Sequence, residues 1–196
     1  MLEQIIDDVN RALDNEAYFA ALTLALTLPD ICGKAQYPEA AVGKRYINWY
    51  DEHIGKYEQC PCEHCKEVQM PYLSGEVIYS LRNSMLHQGT PNISKEVIRN
   101  TANKIDRFVL AIEKKKPFDI YSDSAGIVSS DFNDTTNREY RVNVRRLCSI
   151  ICASAKGYYE NNKGKFIFFN YSILDWDAEI ARLETLKAWG MSDDRF

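Results

Sequence analysis

Apolar residues recur at three- and four-residue steps from the first turn of the chain, and this restricts its fold more than any other feature. Leu2, Ile5, Ile6, Val9 and Leu13 follow that spacing and run into residues 17–28, twelve positions broken only by Thr23 and Thr27 on the polar side. Side chains so spaced share one face of a 3.6-residue helix, so the chain is predicted to open with a long helix buried against others. A bilayer span needs roughly 20 apolar residues, which excludes a membrane helix here. The residues before the run (Asp7, Asp8, Asp14, Glu16) are acidic where an export signal is basic. A cytoplasmic location is therefore expected, with the six cysteines as thiols or metal ligands rather than disulfides.

Prolines and glycines divide the rest of the chain. Pro29 is predicted to stop the first helix, because it lacks an N–H and disfavours helical geometry just before it. A loop with Gly33, Pro38 and Gly43 leads to a second helix, in which Tyr46, Tyr50, Ile54 and Tyr57 share a face, and then to a cysteine-rich loop. Ser74 is the expected N-cap of a third helix that packs Val77, Ile78, Leu81 and Met85 inward and ends at Gly89 and Pro91. A fourth helix is expected from Ser94, with the stripe Ile98, Ala102, Ile105, Val109 and Ile112, cations Lys114, Lys115 and Lys116 in its last turn, and Pro117 closing it.

These elements predict an all-α, up-and-down helical bundle over residues 1–116. Residues 117–196 are read as a C-terminal extension packing on the bundle within the same structural domain, a division that suits 196 residues. In the extension, Phe118, Ile120, Tyr121, Ile127 and Val128 suggest short strands or an ordered loop. A fifth helix is expected over about residues 137–159, with Cys148 and Cys152 in the core. Residues 166–174 read as a strand or a packed aromatic arm. A last helix follows Asp175 or Asp177, with Ile180, Leu183, Leu186 and Trp189 inside and Gly190 at its end.

The chemistry-bearing stretch is Leu81-Arg82-Asn83-Ser84-Met85-Leu86-His87-Gln88-Gly89. Five residues separate Arg82 from His87, about 140° around a helix, so the two do not stack on one face. They can approach one ligand from either side of a groove, or across a two-fold axis. His87 lies in the last turn, next to the free carbonyls of the helix end, and its imidazole is of the kind that both takes and gives protons.

An Arg followed by a polar residue, then His after four intervening positions, on an interior helix of a helical bundle, resembles the HEPN family (higher eukaryotes and prokaryotes nucleotide-binding). The Ala-Leu-Thr-rich first helix ending Leu28-Pro29-Asp30-Ile31-Cys32-Gly33 is similar to bacterial members, and the resemblance covers roughly residues 2–115. It implies a metal-independent endoribonuclease acting as a homodimer, with the two motif helices meeting at a composite cleft, in toxin, defence or stress functions. Cleavage would proceed by 2′-OH attack, leaving 2′,3′-cyclic phosphate and 5′-OH ends. In this role His87 is general base or acid, Arg82 holds phosphate oxygens, and Asn83 orients His87 or the phosphate. Some members are toxins restrained by an antitoxin that nucleotidylates a tyrosine two residues after the histidine; Gly89 stands there in this chain. The competing reading is a non-catalytic HEPN-like module that binds a nucleotide or a partner protein.

Two further constellations carry candidate roles. Cys60-Pro61-Cys62-Glu63-His64-Cys65 places three thiols and an imidazole within six residues. Cys62 and Cys65 have the spacing that grips zinc, with Cys60 or His64 as a third ligand and Cys32 or a symmetry mate completing a structural site. The alternative is an exposed, reduced loop. Arg138, Arg141, Arg145 and Arg146 are expected to form a helical stripe able to bind RNA phosphates. Between Arg138 and Lys165 there are seven Lys or Arg against two Glu. The alternative is a solvated face paired with Asp131 and Asp134. The net charge of −4 gives the whole molecule no long-range pull toward RNA or anionic lipid, so any polyanion requires a local patch. Phosphate-binding Gly loops, dinucleotide fingerprints and zinc-protease or hydrolase motifs do not occur.

Overall fold

A computed structural model describes residues 1–95, 97–100, 103–112, 124–130 and 135–189. These fall into two compact units, Met1–Lys165 and Phe166–Phe196. The first is mostly helical with a small sheet. Its elements are α1 (Leu2–Asp14), α2 (Tyr18–Ala25), α3 (Leu28–Gln36), α4 (Val42–Tyr50), a π-helical turn (Asp51–Gly55), α5 (Lys56–Glu58), α6 (Glu63–Glu67), α7 (Gly75–Gln88), β1 (Arg107–Ala111), β2 (Ser124–Ser130), β3 (Thr135–Asn143) and α8 (Val144–Asn162). The unit boundary falls after Lys165 rather than at 116, because α8 packs on α1, α2 and α3 and completes their core.

Helix α1 buries Leu2, Ile6, Val9 and Leu13, the face its period specifies. The long opening helix is in fact two, α1 and α2, followed directly by α3. The backbone turns at Glu16, whose φ is +59°, and again at Thr27. Pro29 opens α3 instead of ending a helix, since the N–H it lacks would have no acceptor in a first turn. Gly33, expected in a loop, lies inside α3. A Cβ there would sit 2.7 Å from the Arg45 carbonyl oxygen, so the glycine permits the close approach of α3 to α4. Trp49, Tyr46, Tyr50, Leu22, Leu28, Ile78, Leu81, Leu147 and Ile151 fill the interior.

Among the described residues from Ser94 to Ile112 the expected fourth helix does not form. After α7 the chain is held by side-chain bonds to that helix: Ser80 Oγ accepts the Ser94 amide at 2.7 Å, and the Glu76 carboxylate accepts the Arg99 amide at 2.9 Å. Amides so engaged are taken from a helical ladder. Ile98 and Ile105 are nevertheless buried, in irregular backbone, and Val109 belongs to β1. Ala102, Lys114, Lys115, Lys116 and Pro117 lie outside the described residues, as do Phe118, Ile120, Tyr121, Asp131, Asp134 and Gly190.

Strand β3 is central in the order β1-β3-β2, parallel to β1 (Phe108 opposite Tyr140) and antiparallel to β2 (Ile127 opposite Arg138). The fifth helix therefore begins at Val144 and not near 137. Asn143 caps it by accepting the Arg146 amide at 3.0 Å. Residues 140–142 alternate as a strand, with Tyr140 and Val142 buried and Arg141 exposed.

In the second unit, residues 166–174 form no strand. Phe168 and Phe169 pack ring to ring at 4.6 Å and Phe169 meets Tyr171 at 6.2 Å. Helix α9 (Trp176–Ala188) is capped by Asp175, which accepts the Ala178 amide. It is the only helix of its unit among the described residues and buries none of its side chains, so Ile180, Leu183, Leu186 and Trp189 do not form the interior face expected.

Candidate active site

Helix α7 carries Arg82, Asn83 and His87, and its start is strongly fixed. The Ser74 hydroxyl accepts the Val77 amide, and the Asp51 carboxylate accepts the Gly75 amide at 2.6 Å. Burial pushes the Asp51 carboxyl above its ordinary range, partly opposed by that amide. Asn103 is fully buried and ties the preceding segment down. Its Oδ1 accepts the Tyr72 amide at 2.8 Å, while its Nδ2 donates to the Tyr72 carbonyl and to Ser74 Oγ, both at 3.0 Å. At the other end Gly89 adopts a left-handed φ of +66°, and the Thr90 amide returns to the Ser84 carbonyl. Ser74 and Gly89 thus bound the helix as predicted.

Arg82 and His87 stand on one unbroken helix, which preserves their angular separation of about 140°. Arg82 is mostly buried, with 17% of its side chain exposed. It donates to Asn83 Oδ1 at 3.0 Å and lies 3.6 Å from Asp30 Oδ2. Asp30, on α3, is bound more tightly by Arg45 of α4, whose Nε and Nη2 donate to Oδ1 at 3.0 and 2.9 Å. Two guanidiniums therefore face one carboxylate, leaving a net positive charge at the junction of α3, α4 and α7. The Arg82 Nε–H has no partner among the described residues. His87 is exposed in the last turn. Asp30 and Arg45 were missed in the sequence, where nothing marks two residues 15 apart as partners of a third at 82.

The arginines further on do not form one stripe. Arg138 and Arg141 lie on β3 at odd spacing and so face opposite sides of the sheet. Arg145 is buried and donates to the Leu13 carbonyl at 3.0 Å, closing the end of α1, with its guanidinium 5.8 Å from the Tyr18 ring centre. Arg146 makes a bidentate pair with Glu58 at 2.8 and 3.0 Å. Arg141 alone of the four is exposed, and it leans on Glu139 at 3.4 Å.

The cysteines separate into two populations. Cys32, Cys148 and Cys152 are buried in helices, and burial holds their thiols well above the usual range. Cys32 thus supplies no ligand to the cysteine loop. In that loop the sulfurs of Cys60, Cys62 and Cys65 all lie within 4.8 Å of one another, and His64 offers no nitrogen to the group. Hydrogen bonds from Cys65 and Cys60 draw the Cys62 thiol below its ordinary pKa, while side-chain bonds to Cys60 and Cys62 raise Cys65 to about 12. The group could hold a metal ion.

Compared with known proteins, the chain matches no family model, no curated protein and no solved structure. Among the described residues no helix is long and apolar enough to cross a membrane.

Proposed function

We propose that the chain is a HEPN-type endoribonuclease acting as a homodimer on RNA, with Arg82, Asn83 and His87 of each copy at a shared cleft. One observation carries this reading: α7 bears a surplus guanidinium, fixed by Asn83 and Asp30, and an exposed imidazole on the same helix. A guanidinium whose charge is only partly offset by Asp30, which Arg45 binds more tightly, suits the non-bridging oxygens of a phosphodiester, where charge grows as the 2′-oxygen attacks. One His87 takes the 2′-OH proton and the partner copy's equivalent ring protonates the departing 5′-oxygen. The P–O5′ bond breaks as the P–O2′ bond forms, leaving a 2′,3′-cyclic phosphate, and no metal enters this scheme.

The test is incubation of the purified protein with single-stranded RNA in EDTA, followed by end-group analysis. Cleavage to cyclic-phosphate ends is expected, falling about 100-fold or more in H87A, in line with loss of a general acid–base group. Arg82→Lys keeps the charge beside Asp30 but loses the planar fork, and is expected to lose activity while remaining folded. RNA left intact, or cut equally by H87A, would favour a binding module for a nucleotide or partner protein.

A further inference from the structure

The cysteine loop carries chemistry that the ribonuclease reading does not use. We propose that Cys60, Cys62 and Cys65 together bind one Zn(II) ion as three thiolates, with a fourth coordination position left for an exchangeable ligand. A tetrahedral zinc with Zn–S bonds of about 2.3 Å needs sulfurs about 3.8 Å apart. The Sγ atoms of Cys60 and Cys62 are 3.3 Å apart, and all three lie within 4.8 Å, so small side-chain adjustments complete the triangle. Local backbone holds this arrangement. Cys62 Sγ accepts the Cys65 amide at 3.2 Å, and the Cys65 carbonyl accepts the Met70 amide at 2.9 Å, folding the loop around the sulfurs. Cys60 and Cys62 are exposed and Cys65 is half-buried, which leaves an ion a path in.

No fourth protein donor joins the group among the described residues. His64 is outside it, although adjacent in sequence, and Cys32 is sealed in the core. Zinc sites that serve only as staples have four protein ligands, whereas three protein ligands leave a position for water or an exogenous ligand. The surroundings suit such a ligand. A cavity of about 480 Å³ adjoins the loop, with Cys60 and Cys65 in its wall beside Met70, Tyr72, Tyr140 and Arg146. This differs from the closed structural zinc anticipated from the sequence, and it requires no part of the α7 site.

The experiment titrates the full-length, reduced, metal-free protein with Co(II) and then with Zn(II). One equivalent of Co(II) is expected to give thiolate-to-cobalt charge-transfer bands and tetrahedral visible bands, which Zn(II) abolishes. Cys62→Ser, at an exposed position, is expected to weaken binding about 100-fold, since zinc affinity is shared among a few thiolates. H64A is expected to bind normally, and added imidazole is expected to shift the visible bands by entering the open position. Absence of tetrahedral bands at one equivalent, their loss in H64A, or their indifference to imidazole would each overturn the proposal. Binding should persist in H87A, which separates its outcome from that of the ribonuclease assay.

Discussion

At the residue scale, the local hydrogen-bonding role of a side chain departs repeatedly from what its type suggests. Arg145 is a cation in sequence, but in the fold it closes the carbonyl end of α1, and Arg146 is matched to Glu58, a residue 88 positions away. His53 is similar. Gln36 spends its amide hydrogens on Tyr37 and Glu52, so its oxygen accepts from His53 Nε2 at 2.8 Å, while the imidazole packs 4.8 Å from the Trp49 ring and 5.2 Å from Tyr158. Burial is the main force lowering the His53 pKa, aided by Lys56 and opposed by Glu52. The folded state therefore binds a proton less readily than the unfolded chain, whose value is 6.5. Stability is complete above that value and falls as acidification charges the unfolded chain first. Urea midpoints measured from pH 7.5 down to about 5 should decline, and His53→Gln, which retains a donor for Gln36, should flatten the decline.

At the scale of elements, helix punctuation was legible where a signal has one meaning and misleading where it has two. Ser74 and Gly89 bound α7 because a hydroxyl cap and a left-handed glycine suit only helix ends. Pro29 ends one helix or starts another equally well, and Leu28–Gln36 uses it as a start. The stripe from Ile98 to Ile112 fits a helix, yet Phe108 and Val109 also suit a strand, and pairing with β3 decided the outcome. Asn103 had no sequence signal, although its three hydrogen bonds set the entry to α7. Asn103→Ala would leave the part-buried Tyr72 amide unpaired, while the Tyr72 carbonyl keeps the Ser74 amide at 3.0 Å, and should cost about 1–3 kcal/mol in chemical denaturation. Because that change acts on the start of α7, the proposed RNA cleavage is expected to weaken without a change in its pH profile.

For the whole molecule, one helix late in the sequence unites elements from its beginning. Leu147, Cys148, Ile151 and Ala155 of α8 are buried where that helix meets α1, α2 and α3, so the first 116 residues do not contain their whole core. The compact unit runs to Lys165. A chain ending at Lys165 is expected to unfold in one cooperative transition with near-native helical content. A chain ending at residue 116 should lose that transition, because removing α8 exposes several large apolar side chains, each worth about 1.5–3 kcal/mol when buried. Circular dichroism melts of the two truncations provide the check.

Periodicity and short-range punctuation were enough to read the predominantly helical character, the bounds of the helix bearing Arg82 and His87, and the clustering of three thiols in one loop. Each depends on residues only a few positions apart, whose geometry the backbone alone sets. The break after α1, the strand at 107–111, the dispersal of the four arginines and the joining of Asp30, Arg45 and Arg82 depended on tertiary structure. In these cases the deciding partner lies many residues away, and its hydrogen bonds or burial outweigh local preferences that differ by no more than about 1 kcal/mol.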